Sequence, residues 1–171
     1  YIAAAVAADM FKAHKIHKII LTRPNIPAGK SLGFFAGTIE DKIAPWVIPL
    51  TEVLEARLGK GRFEVARKRG DIEIVPFEVM RGRSFNNAFV ILDEAQNLTP
   101  HEMKMFLTRI GEDSKVIVNG DVSQHDLKGT SGLQVAIELM HKHNIPAAHC
   151  NFTHDDVVRS GICAMWTRAF D

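Results

Sequence analysis

The chain has 171 residues, 46% of them hydrophobic and 24% charged, enough for one domain with a real core. Lysine and arginine number 21 against 20 aspartate and glutamate, so net charge makes no case for a polyanion partner, and only local patches can bind one. No apolar run reaches the roughly 18 residues of a membrane span, no signal-peptide pattern opens the chain, and Cys150 and Cys163 make neither metal spacing nor a disulfide framework, so they read as buried thiols of a cytoplasmic protein.

The Ala-rich stretch from Tyr1 to Lys15 reads as a helix. It begins without Met and without a capping residue, which suggests that these residues are part of a longer protein. Lys18 to Arg23 reads as a short buried strand ended by Pro24, and residues 25–37, rich in Gly and Pro, as a loop. Glu40 to Leu58 has helical spacing, with Pro45 and Pro49 expected near its start or at a kink. Phe63 to Arg69 reads as a shorter helix ended by Gly70, and Asp71 to Val75 as a strand stopped by Pro76.

Ala88 to Leu92 is the most informative stretch: five consecutive apolar residues run straight into Asp93 and Glu94. A continuous apolar run predicts a strand buried on both faces, as in a parallel sheet. Thr99-Pro100-His101-Glu102 predicts a capped helix start, with the helix running to Ile110. Lys115 to Asn119 predicts another buried strand, Ser131 to His143 a helix, Ala147 to Phe152 a strand, and Asp155 to Phe170 a helix. Strands alternate with helices, so the expected fold class is α/β, a mostly parallel sheet with helices on both faces, in a single domain over residues 1–171.

Carboxylates belong at the end of a buried strand, because an unpaired buried charge is costly. The carboxyl ends of parallel strands are also where such sheets bind ligands. Asp93 there suits the shell of a hydrated Mg²⁺, and Glu94 suits the activation of a water, in the pattern of a Walker B motif. Neighbouring strand residues point to opposite faces, so both serve one site only if the chain turns; Asn97 to Pro100 is the expected turn. A second strand end delivers Asn119-Gly120-Asp121-Val122-Ser123-Gln124, where the Gln124 amide suits both a phosphate oxygen and a water. Arg159, expected one turn into the last helix, suits the neutralisation of developing phosphate charge, and a surface pairing with Asp155 or Asp156 is the plain alternative. Arg23, Arg81 and Arg83 lie in loops or strand ends and suit phosphate contact, and Phe34 suits stacking on a base; solvated charge and core anchoring are the plain alternatives. The histidines are scattered and make no metal site.

A Walker B strand implies a phosphate-cradling loop of the form G-x-x-x-x-G-K-[ST]. Gly29-Lys30-Ser31 has the last triplet, but Pro24 stands where the first Gly is needed. The expectation is that the Walker A loop lies just upstream of Tyr1, since an Ala-rich helix is what normally follows it.

Thr22-Arg23-Pro24, Leu32-Gly33-Phe34, Met80 to Arg83, Phe89 to Asn97, Met103 to Arg109, Gly120 to Gln124 and Asp156 to Arg159 together resemble the PhoH-like family, in order and over nearly the whole chain. The resemblance implies a RecA-like P-loop ATPase related to superfamily-one helicases, binding ATP and Mg²⁺. It also implies a hexameric ring and a role on RNA or single-stranded nucleic acid. The family name records induction by phosphate starvation. Asp93 and Glu94 match the family's Walker B acids, Gln124 its phosphate-sensing glutamine, and Arg159 its nucleotide arginine, in the same or a neighbouring subunit. Lys30-Ser31 departs from the family pattern, and residues 126–133 form a shorter loop than usual. No PIN nuclease or KH module is appended in these residues, so nuclease activity is not implied. The leading expectation is Mg²⁺-dependent ATP hydrolysis coupled to nucleic acid. The alternative is a nucleotide-gated assembly or regulatory module with little turnover.

Overall fold

A computed structural model describes residues 1–24, 39–122, 124, 129–153, 156, 158 and 160–170. The chain divides into two compact units, residues 1–138 and 139–171.

The first unit is built on four parallel strands: β1 (Lys18–Arg23), β2 (Ile72–Pro76), β3 (Ala88–Leu92) and β4 (Lys115–Val118), in the order β2-β1-β3-β4. Alternation along each strand sorts its side chains between two cores. Ile19, Leu21, Phe89 and Ile91 pack on one face with α1 (Ile2–Lys12), α2 (Ile39–Leu58) and α3 (Lys60–Arg69). Ile20, Val90 and Leu92 pack on the other with α4 (Pro100–Leu107) and the start of α5 (Gly132–Lys142). Every residue of β3 is buried, as its unbroken apolar run requires. Each large side chain so buried contributes about 1.5–3 kcal/mol. On α1 the buried face is alanine only, Ala4, Ala5, Ala7 and Ala8, which lets the helix axis lie close to the sheet.

Local chemistry explains most boundaries. Thr99 caps α4 with a complete capping box: its side chain accepts from Glu102 N–H, and Glu102 Oε2 accepts from Thr99 N–H at 2.9 Å. The helix ends at Leu107, short of Ile110, which instead joins Phe85 in an isolated bridge. Gly70 stops α3 in the left-handed conformation at φ 76°. Pro45 and Pro49 lie inside α2 and do not end it.

Four expectations are corrected. β4 is not buried: Lys115 and Ile117 are exposed, because β4 is the outermost described strand and is flanked only by β3. Ala147 to Phe152 forms no strand and is exposed, since Ala and Asn favour strands weakly and no described strand pairs with the segment. The final helix, α6, spans Gly161–Phe170 and does not begin at Asp155. Ahead of it, Thr153 N–H and Oγ donate to Asp156 Oδ2 at 2.7 and 3.0 Å, and these bonds hold the Asp156 carboxyl below its ordinary range. Cys150 is exposed and Cys163 half-buried, so neither is the fully buried thiol expected. Among the described residues no helix is long and apolar enough to cross a membrane.

Candidate active site

From β1 the chain crosses through α2 and α3 to β2 on one side, then returns past β1 to β3 on the other. The order reverses between β1 and β3, and a crevice at the carboxyl ends of such strands is the standard ligand position in an open parallel sheet. Arg23 ends β1, and Asp93 and Glu94 follow β3, so these three charged residues stand at neighbouring strand ends.

The backbone locks the strand tips together. Asp93 N–H donates to Thr22 O at 2.9 Å, and Asn119 N–H donates to Leu92 O at 2.8 Å. Ala95 N–H then donates to Asn119 O at 2.9 Å, which carries the β3–β4 pairing past the end of both strands. On this frame Asn119 Nδ2 donates to Asp93 Oδ1 at 2.7 Å. Asp93 is the carboxylate at this edge that can hold a hydrated Mg²⁺, and Asn119 orients it.

The turn that brings Glu94 to the same side comes earlier than Asn97 to Pro100. Glu94 itself is left-handed, at φ 53° and ψ 39°, and opens a single 3-10 turn over Ala95–Asn97. A non-glycine residue there is uncommon and costs about 1–3 kcal/mol. The turn frees the two acids from the strand rule that would put them on opposite faces. Glu94 Oε2 accepts from Gln96 Nε2 at 2.6 Å, and Glu94 Oε1 lies 3.7 Å from Arg23 Nη2. Arg23 thus stands inside the acid site, not apart from it.

Gln124 follows on the loop after β4, exposed, with its N–H donating to Asp121 O at 3.1 Å. Arg159 and Phe34 lie outside the described residues. Arg81 is exposed just after the 3-10 turn Phe77–Met80. Arg83 is engaged elsewhere: its Nη2 contacts Glu73 Oε2 at 2.5 Å, and Lys18 Nζ contacts Glu73 Oε1 at 2.8 Å. Lys18 and Glu73 stand near the starts of β1 and β2, so this triad lies at the opposite end of the sheet from Asp93. Burial alone raises the Glu73 carboxyl, but bonds from Lys18 and Arg83 outweigh it and hold the group below its ordinary range.

Two participants carry no assignment in the sequence reading, Asn119 and Gln96. Both stand within the motifs quoted there, but their roles depend on which strand tips become neighbours. Among the described residues no group of three or more His, Cys, Asp or Glu is assembled for a metal.

A family model described as "PhoH-like protein" matches residues 1–171. The chain is 47% identical to a PhoH-like protein of Bacillus subtilis (strain 168), over 100% of this chain and 54% of that protein. It is 44% identical to Protein PhoH of Escherichia coli (strain K12), over 99% of this chain and 49% of that protein. It is 40% identical to a PhoH-like protein of Synechocystis sp. (strain ATCC 27184 / PCC 6803 / Kazusa), over 100% of this chain and 52% of that protein. The chain therefore spans about half the length of these curated relatives.

Proposed function

The chain belongs to the PhoH-like family, and from that premise we propose that residues 1–171 form one ATPase domain that binds ATP with Mg²⁺ and hydrolyses it. One observation carries the reading. Neighbouring parallel strands β3 and β4 deliver Asp93 and Asn119 into a single hydrogen bond, and the left-handed turn sets Glu94 beside them. These groups stand at the carboxyl edge, where the strand order reverses.

In this reading Asp93 holds the hydrated Mg²⁺, which when bound neutralises phosphate charge. Glu94 orients and activates the attacking water as a general base. Gln124 holds water or a terminal phosphate oxygen through its amide, and Arg159 neutralises charge from the same or a neighbouring subunit. We place the phosphate-cradling loop in the longer protein, upstream of Tyr1, on a strand that pairs with the outer edge of β4. The exposure of Lys115 and Ile117 on that outermost strand supports the placement.

We further propose that hydrolysis is coupled to RNA or single-stranded nucleic acid in a cytoplasmic hexameric ring. The position of Arg23 supports coupling, since a side chain suited to a nucleic-acid phosphate pairs with the proposed base. A second reading, a nucleotide-gated module with little turnover, draws on the same geometry. Both Glu94 oxygens already face protein donors, Gln96 and Arg23. Steady-state phosphate release by the full-length protein, with and without single-stranded RNA, separates the two. The ATPase reading expects Mg²⁺-dependent turnover that drops about 100-fold or more in Glu94→Gln. Turnover that Glu94→Gln leaves unchanged refutes the catalytic assignment, and tight ATP binding with negligible turnover supports the gated module.

A further inference from the structure

We infer that Gln96 is a positioning residue for Glu94, holding the carboxylate with one end of its amide and sensing the loop after β4 with the other. The inference rests on the proposed ATPase reading and adds to it how the proposed base is aimed.

Gln96 is buried, at 3% exposure, so its amide must be satisfied inside the protein. Both ends are. Nε2 donates to Glu94 Oε2 at 2.6 Å, and Oε1 accepts from Asp121 N–H at 3.2 Å. The orientation is fixed by chemistry: the reverse would set the amide oxygen against a carboxylate and the NH₂ against a backbone N–H. A carboxamide supplies a donor and an acceptor from one short planar group without titrating. An ionised glutamate at this position supplies acceptors alone, and leucine supplies neither.

The main chain of Gln96 is also pinned. Its carbonyl accepts from Ser131 Oγ at 2.8 Å, and Ser131 Oγ accepts from Leu133 N–H at 3.2 Å in the first turn of α5. Gly120 completes the seat. A Cβ at Gly120 would stand 2.5 Å from Gln96 Oε1 and 3.0 Å from Gln96 N, so the loop lies directly against the amide. The same loop carries Gln124 one hydrogen bond beyond Asp121. A displacement of this loop therefore pulls on Oε1, and the rigid amide passes the movement to Nε2 and to the Glu94 carboxylate. Contact between Gln124 and a phosphate is in this way transmitted to the group that activates water.

The test uses the full-length protein and three variants, Gln96→Leu, Gln96→Glu and Gly120→Ala. In Gln96→Leu, kcat is expected to fall about 10- to 100-fold while KM for ATP stays within about twofold. Gln96→Glu replaces the donor that faces Glu94 with an acceptor, and kcat is expected to fall at least as far as in Gln96→Leu, with KM for ATP again within about twofold. A merely structural role would lower thermal stability without separating kcat from KM. Gly120→Ala is expected to lower kcat as Gln96→Leu does, with Gln96 itself intact, and it carries the test together with Gln96→Glu where Gln96→Leu fails to fold. Wild-type turnover with kcat within twofold in Gln96→Leu and Gly120→Ala, or in Gln96→Glu, overturns this inference alone. Absence of Mg²⁺-dependent turnover in the wild type overturns the ATPase reading and this inference together.

Discussion

Asn119 Nδ2 donates to Asp93 Oδ1 at 2.7 Å, so the tips of β4 and β3 meet through their side chains as well as their backbones. The bond aims one carboxylate oxygen and leaves Oδ2 outside it. Asn119→Ala is expected to weaken Mg²⁺-dependent ATP binding about two- to tenfold, the ordinary worth of one such bond. Asp93→Ala is expected to remove the Mg²⁺ dependence itself. Titration of the full-length protein with ATP, with and without Mg²⁺, measures both. Equal affinity in wild type and Asn119→Ala would assign the bond to strand-tip packing only.

Arg81 and Arg83 separate by their surroundings. Arg83 is tied to Glu73, so Arg83→Ala is expected to lower the melting temperature, because Glu73 is left partly buried with Lys18 alone. Arg81 is exposed, so Arg81→Ala is expected to leave melting unchanged. If Arg81 meets a nucleic-acid phosphate, its removal also reduces the salt slope of RNA binding by about one. Salt titrations of RNA binding in the two variants decide the point, and a slope change in Arg83→Ala alone reverses the assignment.

Glu73 also sets a pH dependence. Its folded-state carboxyl lies below its ordinary range, through Lys18 and Arg83 acting against burial. A group depressed on folding contributes stability that is present above its unfolded-state value and is lost as pH falls through the folded one. Stability is therefore expected to decline as pH drops below about 4.3, the ordinary glutamate value. In Glu73→Gln that part of the acid decline should disappear. Urea melts across pH 3 to 6 compare the two proteins; identical acid declines would remove Glu73 from the account.

Thr22 is wholly buried in β1, and its hydroxyl has no hydrogen-bond partner among the described residues. Thr22→Val keeps the branched shape and removes the unsatisfied oxygen. The expected result is a gain of about 1 kcal/mol, with the Thr22 carbonyl still free to accept from Asp93 N–H. Denaturant melts measure the gain, and ATPase assays check the site. A stable variant that loses activity would show that the hydroxyl serves the reaction.

Much of the first unit was legible in order along the chain. The bounds of β1 and β3 follow from their apolar runs, since a run buried on both faces leaves no freedom about its ends. The start of α4 follows from Thr99, Pro100 and Glu102, which act within a few residues of each other. Ala147 to Phe152 reads as a strand and forms none, because a strand needs a neighbour to receive its backbone bonds, and small apolar residues do not report whether one exists. The exposure of β4 was invisible for the same reason: Val116 and Ile117 read alike at an edge or a centre.

The sequence by itself determined the alternation of strands and helices, the two acids at the end of β3 and the polar loop after β4. These depend on periodicity and on the cost of burying charge, both properties of contiguous residues. Only the tertiary structure decided that Asn119 would hold Asp93, that Gln96 would bridge Glu94 to Asp121, and that Arg23 would enter the acid site while Arg83 stayed at the far end of the sheet. The reason is strand order. Residues such as Arg23 and Glu94, or Asp93 and Asn119, meet because β1, β3 and β4 lie side by side, and no local pattern in one strand specifies its neighbour.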